Sequence, residues 1–137
     1  MSLTQEERDI IVKYRLERAN ETLTEAKDLM QLNHWHGAAN RLYYACFYAV
    51  CALLIKNGCV TRTHSGVFSL LGEHFVLTGL ISKEQNKFYR RVLELRQTGD
   101  YDDFTELSEK EMLLLFEPAT DFIKTIEQLI LNTQNYQ

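Results

Sequence analysis

The stretch from Ala38 to Lys56 constrains the fold of this chain most, because nearly every side chain in it is apolar. Only Asn40, Arg41 and Lys56 are strongly polar there. A helix that is apolar on all sides is a buried helix, so this stretch is predicted to be the central helix of a bundle. Its uncharged part is too short to span a bilayer, which takes about 20 apolar residues. The sequence therefore predicts no association with a membrane.

The first helix is predicted from a capping box, in which Thr4 and Glu7 each satisfy the backbone amide of the other. It should run to about Gln31, because apolar residues recur at coiled-coil-like intervals at Val12, Leu16, Ala19, Leu23, Ala26 and Met30. Three apolar residues fall off this seam and are predicted to touch a second surface: Ile10, Ile11 and Tyr14.

Three further helices are predicted after the central one. One spans residues 64–76, and the next begins at a second capping box at Ser82, continues through Arg96 and is broken by Gly99. The last contains Pro118, which is expected to kink or split it. With only six glycines and one proline in 137 residues, a β-sandwich is excluded. We predict an all-α, up-and-down antiparallel bundle of four to five helices that forms a single domain over residues 1–137.

The charge and the cysteines limit the classes of function. The net charge is −4, so any contact with nucleic acid would need a local basic patch, such as the predicted fourth helix with its five cations and two anions. Cys46, Cys51 and Cys59 are odd in number and lack metal-site spacing, which is typical of a reduced cytoplasmic protein. His34 and His36 point apart on a helix, so no metal site is predicted. No P-loop or Rossmann pattern is present, and no cofactor is predicted.

Four residues draw attention for the chemistry that they could support. Arg41 lies on the apolar helix with Tyr44 on its own face, and it is either a structural arginine tied to an acceptor or an arginine facing a phosphate in a cleft. Arg96 extends an apolar stripe and is either a helix-end cap or part of a pocket. His64 is placed at a helix N-terminus, where it could cap the helix, bind an anion or act as an acid or base.

Three blocks of sequence together resemble the prokaryotic HEPN domain family. They are Ala38-Ala-Asn-Arg-Leu-Tyr-Tyr-Ala-Cys-Phe-Tyr-Ala49, then Thr63-His-Ser-Gly66 with Phe75-Val-Leu-Thr-Gly79, and finally Arg96-Gln-Thr-Gly-Asp-Tyr-Asp102. The subgroup that they resemble contains small stand-alone proteins often encoded beside a minimal nucleotidyltransferase. The resemblance implies a bundle of four or five helices that forms a homodimer with a composite cleft. It also implies either metal-independent RNase activity or a toxin neutralised by a nucleotidyltransferase.

The sequence departs from the nuclease members of that family in one respect. Those members carry an Arg followed by four to six residues and then a His. Counted from Arg96, these positions hold Tyr101, Asp102 and Asp103, and counted from Arg41 they hold Cys46, Phe47 and Tyr48. The RNase motif is therefore not met, and His64 could replace its histidine only if the fold brings it near one of the arginines.

Three hypotheses follow. The leading one is a HEPN-like protein that binds a nucleotide, RNA phosphates or a nucleotidyltransferase as part of a toxin–antitoxin type of module. Its candidate binding residues are Arg41, Tyr44, His64, Arg96, Asp100 and Tyr101. The alternative is a metal-independent RNase toxin, with Arg96 and His64 as the catalytic candidates. The third is a structural interaction module without a ligand.

Overall fold

A computed structural model of the chain describes residues 3–59, 61, 63–101 and 109–132, and for residues 97–101 it describes the backbone alone. Five α-helices follow one another: α1 (Gln5–Gln31), α2 (Trp35–Lys56), α3 (His64–Leu71), α4 (Lys83–Tyr101) and α5 (Glu109–Asn132). The described residues contain no strand. The prediction of an all-α helical bundle is confirmed.

The first helix has the predicted start, end and seam. The Glu7 amide donates to Thr4 Oγ1 over 3.0 Å and the Thr4 amide donates to Glu7 Oε1 over 2.9 Å, which is the capping box. Asn33, with φ of 63°, ends the helix in a left-handed residue, and the next amide returns to the carbonyl of Leu29 over 2.9 Å. The six seam residues are buried or packed against the core. Ile10 and Tyr14 remain exposed, so no other part of the chain that the structure describes covers them.

The second helix is the centre of the fold, as predicted, and it contacts each of the other four helices. It begins at Trp35, one turn before the predicted start. It ends where Gly58 adopts a left-handed φ of 76° and the Cys59 amide donates to the Leu54 carbonyl over 2.8 Å. By length and composition α2 could cross a membrane, but most of it is buried among the other helices, as in a core helix.

The third predicted helix is two different elements. Thr63 caps α3 by accepting from the Gly66 amide over 2.9 Å, and after Leu71 the chain continues as a π-helical turn over Gly72–Val76. A Cβ on Gly66 would lie 2.7 Å from the Thr63 hydroxyl oxygen and still closer to that of Thr61. Because Gly66 has no side chain, Thr61 and Thr63 can pack closely at the start of α3, where His64 lies.

The last two helices bear on two predictions, one at Gly99 and one at Pro118. The capping box at Ser82 is present, with the Gln85 amide 3.1 Å from Ser82 Oγ, but α4 runs past Gly99 to Tyr101. Gly99 does not break the helix, because one glycine in a helix costs only about 1 kcal/mol relative to alanine. Helix α5 is likewise not split at Pro118, which removes a single helical hydrogen bond. Its buried face packs on α2.

Candidate functional site

Polar and aromatic side chains meet where α3 and α4 pack on α2. We call this group the Tyr43 cluster, and its members are Tyr43, Tyr44, Phe47, His64, Tyr89 and Arg96. Tyr43 is fully buried, whereas His64 and Arg96 are partly exposed. The cluster thus joins the core of the bundle to its surface.

A short hydrogen bond holds His64 in place. The Tyr43 hydroxyl lies 2.6 Å from His64 Nδ1, and the Phe47 ring centroid lies 4.5 Å from that of the imidazole. If Tyr43 donates, the other ring nitrogen carries the proton and can only donate. If Tyr43 accepts, Nε2 has a free lone pair and can act as a base. The same geometry therefore serves either hydrogen-bond donation to an anion or proton abstraction.

Arg96 brings a fixed positive charge to this histidine. Its guanidinium carbon lies 5.8 Å from the Tyr43 ring centroid and 5.6 Å from that of Tyr44, both within cation–π range. Burial, and secondly the charge of Arg96, lower the pKa of His64 below its ordinary value of 6.5. His64 is therefore neutral at neutral pH, and Arg96 supplies the charge of the site.

The tyrosines behind the site remain protonated. Burial raises the pKa of Tyr43 and of Tyr89 well above the usual value, so both act as hydroxyl groups. The Tyr43 and Tyr89 rings stack with centroids 6.1 Å apart, and Tyr89 stacks in turn on Phe122 of α5 at 5.4 Å. These contacts fix the rear wall of the site against the core.

The predicted site residues divide into those that meet and those that do not. His64, Arg96 and Tyr44 come together in the Tyr43 cluster. Arg41 has its Nε 3.4 Å from a carboxylate oxygen of Glu25 on α1 and its Nη1 2.8 Å from the amide oxygen of Asn40. These contacts tie its guanidinium to α1 and to the neighbouring Asn40, and Arg41 is not a member of the Tyr43 cluster. The side chains of the other two predicted residues, Asp100 and Tyr101, lie outside the described residues.

Sequence reasoning missed three members of the cluster: Tyr43, Phe47 and Tyr89. Two of them could have been found, because Tyr43 and Phe47 are four residues apart and face the same side of α2. Tyr44 and Tyr48 repeat this spacing on the next stripe. Two aromatic pairs at this spacing on one helix could have indicated a cluster of aromatic side chains.

Two cysteines and one groove are not members of the Tyr43 cluster. Burial raises the pKa of Cys46, and it raises the pKa of Cys51 to about 11, so these groups are thiols rather than thiolates. Within the described ranges, no three His, Cys, Asp or Glu side chains are grouped to hold a metal ion. A groove of about 420 Å³ lies between α1, α2 and α5. Its lining includes Trp35, Leu113 and Phe116 but neither His64 nor Arg96.

Comparison with known proteins gives a consistent result. A family model for the HEPN domain matches residues 12–130. A protein from Thermotoga maritima named UPF0332 protein is 42% identical over 90% of this chain and 94% of its own length. Two proteins from Methanocaldococcus jannaschii whose names mark them as candidate toxins are 30% and 29% identical, each over 84% of this chain and over 79% and 85% of their own lengths.

Proposed function

Because the chain belongs to the HEPN domain family, we propose that it is a toxin-type HEPN protein that binds the phosphate groups of RNA or of a nucleotide at the Tyr43 cluster. One observation carries the proposal. His64 and Arg96, which are far apart in sequence, meet beside the same buried tyrosine and are both partly exposed. The two similar proteins named as candidate toxins support the toxin type.

Each side chain has a role in this proposal. Arg96 supplies a charge that cannot be lost and a planar fork of donors suited to a phosphate. His64 is neutral and donates one hydrogen bond from Nε2 to a phosphate oxygen while Tyr43 donates to Nδ1. Tyr44 adds an aromatic face beside Arg96 on which a base can stack.

Binding of nucleoside monophosphates, measured by isothermal titration calorimetry, tests the proposal. We expect Arg96→Ala to weaken binding at least tenfold, because a charged hydrogen bond is worth about 1.5–3 kcal/mol. His64→Ala should weaken it less. Arg91→Ala and His74→Ala are matched controls, since both residues are exposed and lie outside the cluster. Equal affinity in all five proteins, or no binding by the unaltered one, would refute the proposal.

A second candidate function is RNA cleavage without a metal. The observation that favours it is the neutral, hydrogen-bonded His64 beside Arg96, which supplies a base and a stabilising charge although the usual motif is absent. Cleavage of a mixed-sequence RNA in excess EDTA should then be lost in both His64→Ala and Arg96→Ala. Cleavage that is equal in the variants and the unaltered protein would come from a contaminant and would exclude this activity.

The partners in this proposal are a second copy of the chain and a minimal nucleotidyltransferase, and its location is the cytoplasm. Ile10 and Tyr14 support a covered surface, because they are exposed neighbours one helical turn apart on α1 and together form a small apolar patch. Sedimentation of the protein alone and with any minimal nucleotidyltransferase encoded beside its gene would test both partners. Sedimentation as a monomer at all concentrations would exclude the homodimer.

A further inference from the structure

A row of two tyrosine rings with an arginine at each end extends from Arg96 across α2 to α1. The Arg96 guanidinium carbon is 5.6 Å from the Tyr44 ring, the Tyr44 and Tyr48 rings are 6.0 Å apart, and the Arg18 guanidinium carbon is 5.5 Å from the Tyr48 ring. Each of these four side chains is only partly buried. The row thus begins in the Tyr43 cluster and continues beyond it over the surface.

Helices α2 and α1 determine the positions of three side chains in this row. Tyr44 and Tyr48 are four residues apart on α2, so they are neighbours along one helix face, separated by a rise of about 6 Å. Arg18 comes from α1, which packs along α2. With Arg96 on α4, the row is assembled from three helices rather than from a loop.

We propose that Tyr48 and Arg18 form a second-nucleotide subsite, so that the protein binds single-stranded RNA along this row. This inference rests on the proposed function, because the first phosphate occupies Arg96 and His64. In the subsite a base stacks on Tyr48 and the next phosphate pairs with Arg18. Single-stranded nucleic acid is recognised by this combination of basic groups and aromatic faces, and a duplex cannot present unstacked bases to it.

The ion pair that Arg18 makes does not prevent phosphate binding. Its Nη1 lies 3.3 Å from a Glu21 carboxylate oxygen in a pair whose side chains are 32% and 63% exposed. Such exposed pairs contribute little, so a phosphate can replace the carboxylate at small cost. Glu21 then competes with the ligand. Removing its charge should strengthen binding of the second phosphate.

Calorimetric titration with RNA of increasing length tests the subsite. The ligands are a mononucleotide, a dinucleotide and a hexanucleotide, all with 2′-O-methyl ribose to prevent cleavage and all in EDTA. Loss of stacking or of one phosphate contact should weaken dinucleotide binding roughly fivefold to tenfold in Arg18→Ala and in Tyr48→Leu. Mononucleotide affinity should not change in either. Arg18→Ala should also reduce the salt dependence of log K by about 0.7.

Two variants serve as matched comparisons. Arg90→Ala removes an exposed arginine that is paired with Glu94 in its own helix, as Arg18 is with Glu21, and it should leave every affinity unchanged. Glu21→Gln should tighten dinucleotide binding, which a purely structural role for the pair would not cause. If circular dichroism shows a lowered melting temperature for Tyr48→Leu, the subsite is tested with Arg18→Ala and Glu21→Gln alone.

The outcomes separate the two proposals. Failure of the unaltered protein to bind the mononucleotide would overturn the proposed function and the subsite with it. Mononucleotide binding without any gain in affinity for the dinucleotide, or a gain that Arg18→Ala leaves intact, would overturn the subsite alone. Equal binding of a double-stranded hexanucleotide would also contradict it.

Discussion

The regions around Arg96 and Arg41 hold the same guanidinium group in different surroundings. Arg41 lies at the surface between α1 and α2, beside the Glu25 carboxylate. Arg96 lies over the rings of Tyr43 and Tyr44, and its charge lowers the pKa of His64. Glu25 offsets the charge of Arg41 at a position where water already screens it. The charge of Arg96 instead changes the pKa of His64.

This difference shows what an aromatic surrounding does for a charge. The Glu25 carboxylate offsets the Arg41 charge, whereas the Arg96 charge still lowers the pKa of His64. The rings of Tyr43 and Tyr44 attract the Arg96 cation and leave its charge in place. That property suits a site for an anion, and it distinguishes two arginines that resemble each other in the sequence.

The largest expected effect concerns the buried ring that anchors the Arg96 region. Tyr43→Ala should lower the free energy of unfolding by about 3–5 kcal/mol, because a fully buried aromatic side chain is removed. Tyr43→Phe should cost about 1 kcal/mol, the net value of one hydrogen bond. Urea denaturation measures both. Tyr14→Ala, at an exposed ring on α1, is the control, and an equal loss there would contradict the central position of Tyr43.

A smaller effect is expected at the helix start that carries His64. Gly66→Ala should destabilise the protein by about 1 kcal/mol, because the new Cβ displaces the Thr63 cap. Gly72→Ala is the matched control, since its surroundings are open and its backbone is helical. It should stabilise the protein by roughly 0.5 kcal/mol. Thermal melting compares the two, and a stabilising Gly66→Ala would contradict the close packing described for Thr61 and Thr63.

In the Arg41 region the effect should be smaller still. Arg41→Ala is expected to lower the free energy of unfolding by less than about 1 kcal/mol, because it breaks one half-exposed ion pair. Urea denaturation of Arg41→Ala, Glu25→Ala and the double variant gives the coupling energy of the pair. A coupling energy of several kcal/mol would contradict the difference described between the Arg41 and Arg96 regions.

The smallest effect in free energy is the one most specific to the comparison. Arg96→Gln should raise the pKa of His64 toward its ordinary value of 6.5, because a nearby positive charge is removed. Arg41→Gln should leave that pKa unchanged. Titration of the imidazole protons by nuclear magnetic resonance measures both, and an equal response to the two substitutions would contradict the contrast.

The same shift makes stability depend on pH in a defined direction. His64 has a lower pKa folded than unfolded, so the unfolded state takes up its proton first as the pH falls. The stability that it contributes is complete above pH 6.5 and is lost as the pH falls from there through the folded pKa. Melting temperatures from about pH 8 to about pH 5 should show a smaller loss in His64→Gln than in the unaltered protein.

Much of the fold could be predicted because local signals determine it. The Thr4 capping box and the apolar seam gave the extent of α1, and the all-apolar stretch identified the central helix. The error at Gly99 and the unbroken helix at Pro118 have one cause, since packing against the rest of the bundle outweighs the cost of a single unfavourable residue. The π-helical turn after Leu71 has no sequence signal that we recognise.

The candidate site was less predictable because it depends on contacts between distant residues. His64 and Arg96 were each identified from local features, but their meeting requires α3 and α4 to pack on the same part of α2. The spacing of residues within one helix does not show which helices pack against each other. Tyr43 has a local signal in its spacing from Phe47, but its hydrogen bond to His64 depends on a contact between α2 and α3 that the spacing does not show.

The stacked rings of Tyr43, Tyr89 and Phe122 have a practical consequence for anyone who engineers this protein. They run from the imidazole of His64 through the interior to α5, so a repacked core would also move the wall of the site. Heat-resistant variants should therefore be sought far from this stack. Leu77, which is 84% exposed in the turn after the π-helical segment, is the kind of position where a polar replacement could improve solubility without disturbing the site.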